Sequence, residues 1–287
     1  MHYLLLPLAD PRWRRWRAGV APFVLAALTL GVWIGLEWLA LRSGWLPDAD
    51  TPAAERALIV LGFTRLALLL PLCWGVSRVL LGLPLGAQSS AARRFRWGVL
   101  ARSLAVGLPL MALSLLADWL LMARQWAPQA MPWAFLLTLA LLLPLQCAAE
   151  EFAFRGLLMQ GLASVFTRAA EAHTAPSPTA IGIALIGSAA LFAWVHGAQS
   201  PPLLAARVGI GLTLGWLMWR TQGLEAAIAL HIANNAVTLI GALAAGTLAQ
   251  DLTISDTSWP RALLTVAANA LVALLIASAL RRRGLQA

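Results

Sequence analysis

The sequence predicts an all-α, polytopic membrane protein with about eight transmembrane helices. Of its 287 residues, 60% are hydrophobic and only 11% are charged, and the mean hydropathy is +0.77. Soluble domains carry about 25% charged residues, so a soluble fold of this length could not bury so much apolar surface. The apolar segments are long and continuous and do not alternate with polar residues, which excludes a transmembrane β-barrel.

Eight apolar segments are long enough to be membrane-spanning helices, which need about 20 residues each. The fifth is preceded by Ser177-Pro178, a helix-start signal with proline at the first helical position. We find no internal repeat, so residues 1–287 are predicted to form a single transmembrane domain with a motif-bearing core at about 131–246. The predicted spans are about 19–41, 57–83, 97–122, 132–166, 178–196, 203–219, 224–246 and 261–280.

The distribution of arginine predicts the orientation of the chain, because all 21 basic residues are arginines. If the N-terminus is cytoplasmic, thirteen arginines lie in loops or termini on that side and only four on the other, as the positive-inside rule requires. Both termini are therefore predicted to be cytoplasmic. The thirteen are Arg12, Arg14, Arg15, Arg17, Arg78, Arg93, Arg94, Arg96, Arg168, Arg220, Arg281, Arg282 and Arg283.

The N-terminal segment, residues 1–18, contains PRWRRWR, in which four arginines alternate with Trp13 and Trp16. Such a basic-aromatic segment is typical of the interface with an anionic cytoplasmic leaflet. Because a span follows at once, we attribute the net charge of +9 to contact with the lipid bilayer and expect no nucleic-acid partner. The use of arginine alone favours a bacterial source, and hence an integral, multi-pass protein of the bacterial inner (cytoplasmic) membrane.

The stretch AEEFAFRG places three charged residues, Glu150, Glu151 and Arg155, inside a long apolar run. Ionisable residues within a membrane span are costly and are by default interpreted as functional. On a helix, Glu151 and Arg155 are four residues apart, the spacing at which a carboxylate and a guanidinium pair. Glu150 lies about 100° around the helix and lacks that partner. The pattern predicts a supporting ion pair beside a carboxylate that is free for chemistry.

Two further apolar spans carry polar residues at the spacing of one helical turn. FAWVH places Phe192 and His196 on one face of the fifth span, and HIANN places His231 and Asn235 on one face of the seventh. Any one of these residues alone is better explained as a hydrogen bond between helices. A free carboxylate, two histidines and an amide on three helices instead suggest a general base, a second proton-handling group and oxyanion donors.

The ordered set of motifs EExxxR, FxxxH and HxxxN resembles the CPBP intramembrane protease family. That family comprises type II CAAX prenyl endopeptidases and bacteriocin-processing or Abi-like immunity proteins. The resemblance is strong over about residues 140–241. It implies an endopeptidase with its catalytic cavity inside the membrane and a membrane-associated peptide or protein as substrate. It further implies that Glu150 and His196 activate water, that His231 and Asn235 stabilise the oxyanion, and that Glu151 and Arg155 support the site.

Three alternatives stay open at this stage. In a zinc-dependent version of the same protease, Glu150, His196 and His231 would be the metal ligands; we favour a site with no metal and no cofactor, because Asn235 beside His231 suits an oxyanion better. The two cysteines lie in apolar runs and predict no metal site. A non-catalytic scaffold or immunity protein has no need of all four polar residues, and a transporter lacks the expected inverted repeat.

The predicted topology creates a mismatch of depth. Glu150 and His231 both fall in the cytoplasmic half of the bilayer, whereas His196 lies near the outer end of its span. If the three residues share a site, the fifth span must begin below the membrane, and the turn after it, residues 197–202, must be recessed towards mid-membrane. We expect that turn to help line the chamber, because irregular backbone at such depth is tolerated only inside protein or beside a wet cavity.

Overall fold

The computed structural model describes residues 2–11, 13–46, 51–121, 125–167 and 175–282, and these residues are overwhelmingly helical. Within them the only β feature is an isolated bridge between Ser90 and Gly223. The predicted all-α class is therefore confirmed. Some of the arginines used for the topology prediction, together with a loop histidine, lie outside the described residues: Arg12, Arg124, Arg168, His173 and Arg283.

The helices follow the predicted spans closely. A short 3₁₀ helix, Tyr3–Ala9, comes before the first span, and a π-helical segment, Phe152–Leu158, lies between two α-helices. The α-helices are α1 (Arg15–Arg42), α2 (Pro52–Ala67), α3 (Leu69–Leu80), α4 (Leu85–Ser89), α5 (Trp97–Leu121), α6 (Trp133–Glu151), α7 (Met159–Val165), α8 (Pro178–Trp194), α9 (Pro201–Thr221), α10 (Glu225–Ala245), α11 (Leu248–Leu252) and α12 (Trp259–Arg281).

Seven stretches of the described chain are long and apolar enough to cross a membrane: all the predicted spans except the fifth. The fifth, α8, has 17 residues, or roughly 25 Å at 1.5 Å per residue, against a hydrocarbon core of about 30 Å. It begins where the sequence predicts, since the Ser177 side chain accepts a hydrogen bond from the amide of Ala180. The predicted count of about eight transmembrane helices holds if α8 crosses most of the bilayer and its last turn lies below the membrane surface.

Two spans are interrupted. The second is divided into α2 and α3 at Leu68, three residues before Pro71, whose ring cannot donate the helical hydrogen bond. The fourth changes from α6 to the π-helical segment directly after Glu151 and returns to α-helix at Met159. π-Helical turns are rare and are found frequently at functional sites. Neither interruption was predicted from the hydrophobic pattern.

The segments that the topology prediction places in the cytoplasm lie together at one end of the helical bundle. Tyr3 is fully buried; its amide donates to the side-chain carbonyl of Gln222 and its hydroxyl to the carbonyl of Gln88. Arg96, before α5, donates to Glu225, at the start of α10, through its backbone amide, Nε and Nη2. The interfacial segment predicted at residues 1–18 thus also contains a stretch, Tyr3–Leu6, that is buried in the protein.

The remaining loops between helices lie at the opposite end of the bundle. Arg261 of α12 forms a two-bond pair with Asp118 of α5, with both distances 2.9 Å. The amide of Ser200, before α9, donates to the carbonyl of Ser255. The loops thus separate into the two predicted groups, and the assignment of the first group to the cytoplasm stays a prediction.

Helix α10 lies at the centre of the bundle and is more buried than the other long spans of the described chain. Alanine occupies many of its buried positions, which lets α5, α6 and α9 approach its backbone closely. His231 is carried on this helix and is only 3% exposed. The central helix thus buries His231 inside the protein and leaves Asn235 half-buried.

Candidate active site

The two glutamates lie at the junction between α6 and the π-helical segment. Glu150 is 7% exposed and Glu151 is fully buried. A π-helical turn contains one more residue than an α-helical turn, so it changes the direction of the side chains that follow. Both carboxylates face the interior from one helix end, and each requires a partner because buried charges without one are strongly disfavoured.

The predicted ion pair of Glu151 and Arg155 is present. Arg155 Nη1 donates to Glu151 Oε1 at 2.8 Å, and both side chains are completely buried. A second nitrogen of the guanidinium, Nη2, donates to the carbonyl of Gly211 in α9. The guanidinium carbon also lies 4.5 Å from the centre of the Phe192 ring, within the range of a cation–π contact. Arg155 therefore ties the fourth span to α8 and α9.

His231 contacts both glutamates. Its Nδ1 lies 2.8 Å from Glu151 Oε1, and its Nε2 lies 3.6 Å from Glu150 Oε2. Since a carboxylate that already faces Arg155 acts as the acceptor, Nδ1 carries the proton and Nε2 is directed at Glu150. This arrangement was not foreseen, because the sequence connects Glu151 only with Arg155. Glu151 therefore both neutralises the arginine and fixes the orientation of the imidazole.

Gln146 is a site residue that the sequence analysis missed. Its Nε2 donates to Glu150 Oε1 at 2.7 Å, and its Oε1 accepts a longer bond of 3.4 Å from Asn235 Nδ2. The signal was available, since Gln146 precedes Glu150 by four residues within an otherwise apolar run. Glu150 thus has one oxygen held by an amide and the other facing an imidazole.

His196 lines a cavity from the turn after α8, two residues beyond the end of the helix that was predicted to carry it. Its Nδ1 lies 2.6 Å from the carbonyl oxygen of Phe192; a carbonyl only accepts, so Nδ1 carries the proton and Nε2 keeps its lone pair. The Phe192 ring packs against His196 and, at 6.1 Å between centres, against His231. His196 is exposed, whereas His231 is buried.

The cavity has a volume of about 470 Å³ and lies between α1, α8 and the π-helical segment. Glu150 and His196 both line it, and Glu150 is the one charged residue among the lining residues described. The other walls are almost entirely apolar and include Leu25, Leu30, Leu66, Phe154, Leu157 and Leu191. A carboxylate and an imidazole therefore face the same apolar chamber.

The structure brings all six predicted site residues together in two groups. Glu150 and His196 face the cavity, while His231, Glu151, Arg155 and Asn235 connect to Glu150 from behind through the contacts described above. The turn at residues 197–202 does not share this position: the described lining ends at His196, and the expectation that the turn lines the chamber is wrong. It is held instead by two hydrogen bonds: the amide of Ser200 donates to the carbonyl of Ser255, and the amide of Thr257 donates to Oγ of Ser200.

A zinc site was the open alternative, with Glu150, His196 and His231 as ligands. Within the described chain no three histidine, cysteine, aspartate or glutamate side chains converge in an arrangement that could hold a metal ion. Nδ1 of His231 is bound to Glu151 and Nδ1 of His196 to a carbonyl, so Nε2 is the ring nitrogen that each histidine keeps for another partner.

The family model described as "Type II CAAX prenyl endopeptidase Rce1-like" matches residues 129–237. Over these residues the chain is similar to that family. The match confirms the resemblance that the motifs predicted, and it contains every one of them, from Glu150 to Asn235. Comparison with curated proteins and with solved structures gives no match.

The matched stretch extends from the loop before α6 to the middle of α10. The motif-bearing core of about 131–246 stays a prediction. The helices that precede it supply one wall of the cavity, through α1, α2 and α3. The family supports a CAAX-type protease that acts in the membrane on a peptide or protein. With its apolar helices, the chain is an integral, multi-pass membrane protein.

Proposed function

We propose that this protein is an intramembrane endopeptidase in which Glu150 and His196 activate a water molecule without a metal ion. One observation carries the proposal: a carboxylate and an imidazole with a free Nε2 line the same apolar cavity within the matched stretch. General acid–base catalysis needs positioned groups within hydrogen-bond reach of the reacting atoms, directly or through one water.

Water is activated between the two walls of the cavity. Glu150 Oε1 is held by Gln146, which leaves Oε2 as the oxygen that takes the proton from water. His196 Nε2 faces the same space and orients that water by accepting its second hydrogen. The hydroxide oxygen then bonds to the carbonyl carbon of the peptide, and the carbonyl electron pair moves to oxygen to form the oxyanion.

The oxyanion is stabilised by His231 and Asn235. Glu151 holds His231 through Nδ1, so Nε2 is directed into the site and can donate once it is protonated. The bond from Asn235 Nδ2 to Gln146 is long, 3.4 Å, so this N–H can donate to a developing negative charge instead at little cost. When the carbon–nitrogen bond breaks, Glu150 returns its proton to the leaving amine. The products are a carboxylic acid and an amine, and the acid then gives its proton to the amine to leave a carboxylate and an ammonium group.

The substrate class follows from the cavity walls. An apolar chamber between α1 and α8 suits a peptide joined to an apolar anchor, such as a lipid chain or a membrane-spanning helix, that enters from the bilayer. Cleavage would then occur near the membrane surface. We place the protein in a bacterial cytoplasmic membrane with both termini in the cytoplasm, on the basis of its arginine distribution.

Cleavage by chelator-treated protein tests the proposed function. Purified protein in liposomes is expected to cleave a peptide that carries a C-terminal isoprenyl or acyl anchor, and to keep its rate after exhaustive chelation. Product mass spectrometry measures the cleavage, and the same peptide without its anchor is the matched control. Activity that disappears on chelation and returns with stoichiometric zinc would support the zinc-dependent version, and intact anchored peptides in every preparation would refute a protease.

A further inference from the structure

A second cavity lies on the side of α10 away from the apolar chamber. It has a volume of about 170 Å³ and lies between α5, α10 and α12. Its lining is mixed and includes Ser114, Asp118, Asn234, Thr238, Arg261 and Thr265. Each water in the liquid occupies about 30 Å³, so this cleft has room for several water molecules. The mechanism proposed above does not use it.

The cleft begins at the end of the bundle opposite to the buried N-terminal segment. Arg261 and Asp118 form their two-bond ion pair there, and both residues also line the cleft. From Arg261 to Ala268, another lining residue, α12 descends seven positions, or roughly 10 Å. The cleft therefore leads from a charged, water-facing end to Asn234 in the interior.

A chain of amide hydrogen bonds continues from Asn234 to Glu150. Asn234 Nδ2 donates to Asn235 Oδ1 at 3.1 Å, Asn235 Nδ2 donates to Gln146 Oε1 at 3.4 Å, and Gln146 Nε2 donates to Glu150 Oε1 at 2.7 Å. Asn269 of α12 starts the chain by donating from Nδ2 to Asn234 Oδ1 at 2.9 Å. Each amide donates to the next group in the direction of Glu150, so the dipoles of these hydrogen bonds add. The amides together form a continuous polar path through an apolar interior.

Asn269 provides an independent indication of water. It is fully buried, and within the described chain its Oδ1 accepts no hydrogen bond, although its Nδ2 donates twice. A buried acceptor of this kind costs free energy unless a water molecule satisfies it, and buried waters typically bridge such groups. Thr265, to whose carbonyl Asn269 donates, lines the cleft. The floor of the cleft is thus suited to ordered water.

We propose that the cleft between α5, α10 and α12 is the route by which water reaches Glu150. The inference rests on the proposed function, since hydrolysis consumes one water for each bond that is cleaved. The walls of the chamber are almost entirely apolar, so once a substrate with an apolar anchor fills it, they offer no polar path for a second water molecule. The cleft and the amide chain offer that path from the opposite face.

Cysteine labelling tests the route. In a parent protein with Cys73→Ala and Cys147→Ala, Ser114→Cys places a thiol in the cleft, and Leu113→Cys, on the same helix and 61% exposed, places one towards lipid. A small cationic, membrane-impermeant methanethiosulfonate is applied to both faces of the liposomes. Labelling is measured by mass spectrometry and turnover with the anchored peptide.

We expect Ser114→Cys to be modified and to lose at least about tenfold in turnover, because the adduct blocks the cleft. Leu113→Cys should stay unmodified, since the charged reagent does not enter lipid. If Ser114→Cys does not fold, Thr265→Cys on the facing helix, with the lipid-facing Leu263→Cys as its control, gives the same comparison.

An unreactive cleft thiol would refute the route, and so would a modified protein with unchanged turnover. Both outcomes leave the proposed function intact as long as the parent cleaves the peptide. If Ser114→Cys is labelled but the unlabelled parent cleaves no anchored peptide, the proposed function is contradicted, and the cleft is a hydrated cavity that supplies water to no reaction.

Discussion

Glu150→Gln is expected to lower the turnover of the anchored peptide by about 10² to 10⁴-fold, the usual contribution of a positioned acid or base. The substitution keeps the size of the side chain and the oxygen that accepts from Gln146, but it replaces Oε2 with a group that cannot take a proton. Binding of the substrate depends on the apolar walls, so KM should change little. The measurement is the initial rate of cleavage over a range of substrate concentrations.

The matched control for this variant is Glu55→Gln. Glu55 lies exposed in the first turn of α2, far from the site in the sequence, and its amide variant should cleave at the wild-type rate. Melting curves of both variants show whether the fold is intact. A rate for Glu150→Gln within tenfold of wild type would remove Glu150 from the role of general base.

Glu151→Gln should destabilise the protein by about 3 to 5 kcal/mol, the typical cost of removing one charged partner from a buried ion pair. Glu151 Oε1 accepts from Arg155 and from His231, and both acid and arginine are completely buried. The amide leaves the arginine charge uncompensated. The free energy of unfolding in detergent, or the melting temperature, reports the loss.

Glu37→Gln is the control, because Glu37 forms an ion pair with Arg65 in which the side chains are 58% and 22% exposed. Ion pairs that solvent reaches contribute about 0 to 1 kcal/mol. Both variants remove the carboxylate charge from a glutamate–arginine ion pair. They differ in whether that ion pair is buried. Equal stability of Glu151→Gln and wild type would contradict the assignment of the buried pair as the support of the site.

The hydrophobic pattern predicted most of the fold because membrane-spanning helices have one dominant physical requirement, a long apolar segment. The start of α8 at Ser177-Pro178 and the pairing of Glu151 with Arg155 followed from local spacing alone. These features depend on residues that are close in sequence or on the thickness of the bilayer.

The features that were missed depend on contacts between distant residues. The π-helical segment has no recognised sequence signal, and within it Arg155 contacts Gly211, 56 positions away in the sequence. The bond from His231 to Glu151 joins residues 80 positions apart. The burial of Tyr3 depends on Gln88 and Gln222, which the sequence alone does not place near the N-terminus.

The central claim, that the peptide bond is cleaved in the apolar chamber between Glu150 and His196, is tested most directly by photo-crosslinking. Glu150→Gln is loaded with an anchored peptide that carries a photoreactive group beside the bond to be cleaved, and the adducts are mapped by mass spectrometry. We expect adducts on both walls, at residues 150–158 and 191–196. Adducts confined to the cleft between α5 and α12, or to loops outside the bundle, would contradict the account.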